Sequence, residues 1–417
     1  MRRALRAAAW LVLIVLGALG PVYLASVPTA REEMVARKYA SWTGVLRLWT
    51  CEGWQAGKGN LQAWLNEGIA AFEKAHPGAY IQATAVSEET MRAFEVSAAN
   101  PPDMILFAPG MLEAPYSLME LEGDFPVRST LREAGMWGDG LYAVPVAMGG
   151  YAMAVNSRLL PETPGDWAAL SADDMPEGGA ILNAPADGAY TSWSAALLHL
   201  FAGNVAAAEG TGGYTGPGID LGLSVIEEEE KAAPEQTPEN VKKNALPAVP
   251  GEAFRSGGSV YQAFTAGKIM AMPVAQREIM NLSNRSASGK GVDWRAEVMG
   301  RPFTDQIAYL AVTACPKKDL SARQALCVQL IRLLLSESVQ RKLTLSGAFP
   351  VAETAGLYQG VYGMDVLESI LLSDDLACAP AFGGAWREYA RCLMDALQPG
   401  GETAEAADLL REMLCTP

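Results

Sequence analysis

Apolar and polar residues alternate over Gly44–Thr50 (GVLRLWT), with β-branched and aromatic side chains among them. That pattern predicts a strand opening the folded part of the chain. Over Asn60–Ala75 the apolar residues Leu61, Trp64, Leu65, Ile69 and Phe72 recur at helical spacing, and His76-Pro77-Gly78 forms a stop. A second strand is predicted over Ala79–Val86 and a second helix over Glu88–Ala99. After the break at Asn100–Asp103, Met104–Ala108 is wholly apolar, as a parallel strand covered on both faces would be. The order β-α-β-α-β calls for an α/β layered sheet.

The stretch Gly140–Asn156 (GLYAVPVAMGGYAMAVN) organises the rest of the chain. Two apolar, strand-favouring runs, Leu141–Val146 and Tyr151–Val155, flank Ala147, Met148, Gly149 and Gly150. Glycine in a strand marks a bend or a close approach to the backbone. Two readings fit the local residues: a hairpin within one domain, or a hinge at Ala147, Met148 and Gly149 where the chain leaves one sheet for another.

Further on, Asp166–Leu170 reads as a helix start and Ala189–Phe201 as a helix. Residues 204–258, rich in Gly and Pro with an acidic run at Glu227–Glu230, read as an irregular excursion. Ser259–Val274 reads as a helix followed by a strand, Asp305–Thr313 as a strand that recrosses, and Ser321–Leu335 as a helix. Helices over Ala385–Leu397 and Thr403–Met413 close the chain.

Several phrases, in this order, resemble the extracellular solute-binding proteins of ABC importers, the family that includes maltose-binding protein. They are FEKAHPG before the second strand, PPDMILF for the third, GLYAVP…GGYA…VNSRLLP…TPGDWAAL at the crossover, FTAGK after residue 263, and the closing helix pair. The glycine that usually precedes the Pro-Asp pair is missing, and Val155 stands where a tyrosine is usual. The resemblance extends from about Gly44 to Met413, with a gap over 204–258. It implies an α/β, two-lobed periplasmic-binding-protein-like fold of type II, each lobe a sheet flanked by helices, with a cleft at a multi-strand hinge. It divides the chain into lobe one (44–147 with 295–337) and lobe two (148–294 with 338–417). It also implies partnership with permease transmembrane subunits, a monomer, and no cofactor.

The 417 residues suffice for two or three domain-sized units. A net charge of −15 argues against nucleic acid as a partner. Arg2, Arg3 and Arg6 precede an uncharged apolar run from Ala7 to Ala25, so residues 1–30 read as a signal anchor or a cleaved signal peptide, and 31–43 as a spacer. Either places the body outside the cytoplasm. Of the six cysteines, Cys315 with Cys327 and Cys378 with Cys392 are conceivable pairs; buried thiols are the alternative. Two histidines and no CxxC leave no metal-site pattern.

Enzyme motifs are missing: there is no GxSxG, HExxH or GxxxxGK[ST]. A glycosidase built on two carboxylates far apart in sequence stays open. The other alternative is a membrane-anchored sensor or adaptor on the same fold. For a binding protein, ligands lie outside the carboxyl ends of sheet strands. This selects Trp49, Glu52 and Trp54 after the first strand, Pro109 after the third, Gly150 and Tyr151 at the hinge, Gln276 and Arg277 after the lobe-two strand, and Asp305, beside Gln306, at the recrossing. Aromatic faces stack on sugar C–H faces, and polar side chains bond hydroxyls. The family resemblance adds Tyr190, Trp193 and Trp386, at positions where sugar-binding members carry stacking aromatics. Arg277 stands where several of them carry an aromatic ring. Each also admits a packing or surface role. Ala108–Leu112 holds no aromatic ring, so only part of an aromatic sugar trough is present, which argues against an oligosaccharide and leaves a monosaccharide, a glycerol phosphate or another small polar solute open; the resemblance implies a carbohydrate-like one.

Overall fold

The structure is a computed structural model. It describes residues 42–93, 101–162, 260–268, 270–298, 302–314, 318–352, 354–374 and 376–383. The N-terminal apolar run, the 204–258 excursion, Tyr190, Trp193, Trp386 and the closing helix pair lie outside these. So does one member of each conceivable cysteine pair, Cys315 and Cys392.

The first layer opens with β1 (Gly44–Cys51), α1 (Gln62–Ala75), β2 (Ala79–Ala85), α2 (Glu88–Arg92) and β3 (Met104–Phe107). β1 pairs in parallel with β2 on one side and β3 on the other. All four residues of β3 are buried, as its unbroken apolar run predicts. After α3 (Ser129–Glu133) and the short ribbon of β4 (Met136–Trp137) and β5 (Gly140–Leu141), the chain enters β6 (Val144–Met148). The sequence suggested one strand over Leu141–Val146. Backbone bonds from Tyr142 and Ala143 N–H to the Gly135 carbonyl interrupt it, and the longer strand begins at Val144.

β7 (Tyr151–Asn156) follows after two glycines and belongs to a different sheet. It is the central strand there, antiparallel to β8 and β9. Helix α4 (Val260–Thr265) precedes β8 (Ala271–Ala275), and α5 (Gln276–Ala287) joins it to β9 (Trp294–Glu297). The chain then returns through β10 (Phe303–Thr304) to β11 (Ile307–Val312). β11 inserts antiparallel between β3 and β6 and completes a five-stranded sheet of order β2-β1-β3-β11-β6. The Gly140–Asn156 stretch is thus a crossover and not a hairpin.

Helices α6 (Leu320–Leu334) and α7 (Glu337–Gln340) pack beside α1 on the first sheet. The Trp64 indole donates to the Val339 carbonyl at 3.0 Å, and Phe349 bridges to Met148. Residues 338–349, which the family resemblance put in the second lobe, therefore pack with the first. The chain reaches the second layer at α8 (Met364–Leu371), which packs on α5 and β9. It returns at β12 (Ala377–Cys378), paired in parallel with β10. The two layers are the two lobes of the expected α/β fold.

Asp103 fixes the end of the first sheet away from the crossover. Its buried carboxylate accepts from Arg323 Nε at 2.8 Å and from the Arg47 backbone N–H at 2.8 Å. Arg323 also lies over the Trp42 ring, 4.9 Å from its centroid.

Candidate functional site

In the order β2-β1-β3 the chain winds first to one side of β1 and then to the other. The carboxyl ends of β1 and β3, at Cys51 and Phe107, are therefore neighbours at a topological switch point. Crevices form there because the loops leaving the two strands diverge to opposite faces. Those loops are 52–61 and 108–112. Pro109 is buried in the second, where Gly110 N–H donates to the Ala381 carbonyl at 3.2 Å.

Glu52 begins the first loop and clamps it. Both carboxylate oxygens lie 3.0 Å from the Leu61 backbone N–H, at the start of α1, where Leu61 has no side chain that could cap the helix. A helix N-terminus favours a carboxylate. Burial opposes that and wins: it pushes the Glu52 carboxyl up to about 7, with the Leu61 N–H pulling the other way. Trp49 and Trp54 are both half-buried against the core, so each has a packing role. The Trp54 indole Nε1 is buried with no hydrogen-bond partner among the described residues.

At the crossover, Ala147 and Met148 remain in the first sheet, paired with Ala308 and Ile307. The change of sheet falls on Gly149 and Gly150. Gly149 is bound on both sides: its N–H donates to the Gln306 carbonyl at 2.7 Å, and its carbonyl accepts from Thr304 Oγ1 at 2.6 Å. A Cβ on Gly149 would meet Gln306 Oε1 at 2.6 Å, and one on Gly150 would meet Leu371 Cδ2 at 2.6 Å. Both positions need glycine for close approach. Next to them the buried Tyr151 hydroxyl donates to Asp305 Oδ1 at 2.6 Å. Burial, then the Asp305 charge, raises the Tyr151 phenol well above its ordinary value.

Gln276, the first residue of α5, is fully buried and reaches all these segments. Its Oε1 accepts from Gly150 N–H at 3.0 Å. Its Nε2 donates to Gln306 Oε1 at 2.5 Å and to the Gln55 carbonyl at 2.9 Å. Arg277 is exposed and donates to Gln55 Oε1.

The fold thus brings Gly150, Tyr151, Gln276, Arg277 and Asp305 into one region with the loop that begins at Glu52 and Trp54. Tyr190, Trp193 and Trp386 fall outside the described residues. Sequence reasoning missed Gln55, Thr304 and Met280 as parts of this region. Gln55 follows Trp54 in the polar loop, which is the signal that was available. Thr304 and Met280 carry none, because their role depends on which strand and loop lie opposite.

No protein-family model matches the sequence, and no curated protein matches it. Solved structures do match in fold. The GacH receptor of Streptomyces glaucescens, described unliganded and with acarbose, gives a TM-score of 0.58 at 18% identity, over 89% of this chain and 98% of the other. The cyclic alpha-maltosyl-1,6-maltose binding protein of Arthrobacter globiformis gives 0.61 at 13% identity, over 89% and 98%. The galacto-N-biose-/lacto-N-biose I-binding protein of a Bifidobacterium longum ABC transporter, in complex with lacto-N-biose, gives 0.55 at 14%, over 89% and 95%. At these identities the likeness establishes the two-lobed fold.

Proposed function

We propose that this chain is the extracytoplasmic substrate-binding component of an ABC importer. It takes a small polar, carbohydrate-like solute between its two lobes, closes about the crossover, and presents the closed form to permease subunits. It performs no chemistry on the solute. Lobe one is the five-stranded sheet with α1, α6 and α7; lobe two is the three-stranded sheet with α5 and α8. The N-terminal apolar run attaches the chain to the membrane or directs its export.

The observation that carries this reading is the crossover itself. β6 and β7 belong to separate sheets and are joined by two glycines, beside the switch-point loops of the first sheet. Such a joint lets two rigid bodies close on a ligand, and ligand then biases the open–closed equilibrium. Polar groups with fixed geometry (Tyr151, Asp305, Gln276) line the joint, and Trp54 adds a half-buried aromatic ring in the neighbouring loop. Two of the relatives in fold are described with acarbose and with lacto-N-biose, which supports the ligand class.

The test is thermal unfolding of the full chain in detergent against a panel of sugars, polyols, sugar phosphates and oligopeptides. A ligand that binds only the folded state at a hundredfold over its Kd adds ~2.7 kcal/mol. A rise in Tm with one chemical class, reduced by Trp54→Ala, is expected. A flat panel with a well-folded protein would overturn the reading.

A further inference from the structure

We infer that Gln276 acts as a built-in ligand at the crossover, so that the lobes close without solute. Its amide is complementary to its surroundings at every group. The one acceptor takes the Gly150 N–H, and the two amide hydrogens go to Gln306 Oε1 and the Gln55 carbonyl. The Gly150 N–H fixes the orientation, because a reversed amide would set donor against donor. These partners come from the first crossover, the recrossing segment and the first lobe's loop 52–61. Two of these bonds anchor the side chain to the joint itself, and the third ties it to the first lobe's loop 52–61, the segment that must part from the second lobe on opening.

The same helix face extends the contact. Arg277 bonds the Gln55 side chain, and Met280, one turn after Gln276, packs on Gly57. Gly57 N–H donates to the Gly347 carbonyl at 3.0 Å, and a Cβ on Gly347 would meet Met280 Sδ at 2.7 Å. Methionine thus sits against two glycine backbones, where any larger residue would hold the lobes apart. Buried amide bonds and a fitted apolar contact are the interactions a bound solute would otherwise supply across the joint. The latch rests on the two-lobed hinge reading and adds that the empty protein is already shut at this end.

The experiment measures the interlobe distance in the full chain in detergent. Spin labels are carried on non-natural residues at Asn66 and Asn284, which are exposed on α1 and α5. Without sugar, the unsubstituted protein is expected to show a single short-distance population. Gln276→Ala and Arg277→Ala shift it to longer distances, and the Gly150 amide exchanges with solvent about tenfold faster or more in Gln276→Ala. Should Gln276→Ala fail to fold, Arg277→Ala and Met280→Ala are read alone, since both side chains lie at or near the surface. Superimposable distributions for all variants, or an open unsubstituted protein, overturn the latch. The two readings fail separately. A flat thermal panel with a distance shift removes the solute reading and leaves the latch. A sugar-dependent Tm with no shift among variants does the reverse.

Discussion

The Tyr151 hydroxyl and the Asp305 carboxylate meet at 2.6 Å, with both side chains buried where the chain crosses between its two sheets. One belongs to the outgoing strand β7 and the other precedes the returning strand β11, so the bond ties two crossings together. Tyr151→Phe removes the donor and leaves part of a buried carboxylate unsatisfied, at a cost of about 1–3 kcal/mol. Urea unfolding of Tyr151→Phe, Asp305→Asn and the double variant is expected to give a coupling energy of at least about 0.5 kcal/mol. Additive losses would show that the bond contributes nothing specific.

Glu52 makes stability depend on pH in an unusual direction for a carboxylate. Its folded value is about 7 against an ordinary 4.5, because burial outweighs the Leu61 N–H. Between those values the folded protein holds a proton that the unfolded chain has released. The stability from this group is therefore fully present below about 4.5, declines as pH rises, and is lost above about 7. With allowance for partial exposure the swing is about 2 kcal/mol. Glu52→Gln, which keeps an acceptor for Leu61, is expected to flatten the Tm profile across this window and to exceed the parent above pH 7. Parallel profiles would place the pH dependence elsewhere.

Arg323 and Asp103 form a partly buried pair that also holds the Arg47 backbone. Arg323→Ala leaves the Asp103 charge buried without its cation and is expected to cost about 3–5 kcal/mol by chemical denaturation. Replacing both with apolar residues of similar volume is expected to cost clearly less. Equal losses in the two variants would mean that packing of the Arg323 stem, rather than charge, is what matters.

Gly150 packs under Leu371 of α8. Gly150→Ala forces a methyl against that buried side chain and is expected to cost about 1–3 kcal/mol. Adding Leu371→Ala frees the space, so Gly150→Ala should cost less in that background than alone. If the second change brings no relief, backbone geometry at Gly150 is the constraint.

The sequence determined four elements of the first lobe almost residue by residue, while the helix expected over Glu88–Ala99 ends at Arg92 and the strand expected over Leu141–Val146 begins at Val144. Gly44–Cys51, Gln62–Ala75, Ala79–Ala85 and Met104–Phe107 lie within a residue or two of their predicted bounds, because apolar periodicity and the Pro-Gly stops act over a few neighbours. It also marked Gly149-Gly150 as special, since glycine carries a backbone constraint in its identity. The local residues left a hairpin and a crossover both open, the family resemblance pointed to the crossover, and the sheet pairing bears it out. What tertiary structure alone decided is that residues 338–349 remain with the first lobe, and what the polar side chains do. Gln276 and Asp305 were visible as candidates by position. That Gln276 spans to Gln55, Gly150 and Gln306, and that Asp305 takes the Tyr151 hydroxyl, depends on hydrogen-bond partners 30 to 221 residues away in the chain. A hydrogen bond needs its donor and acceptor within about 3 Å. Local pattern holds no information about which distant segment folding brings that close.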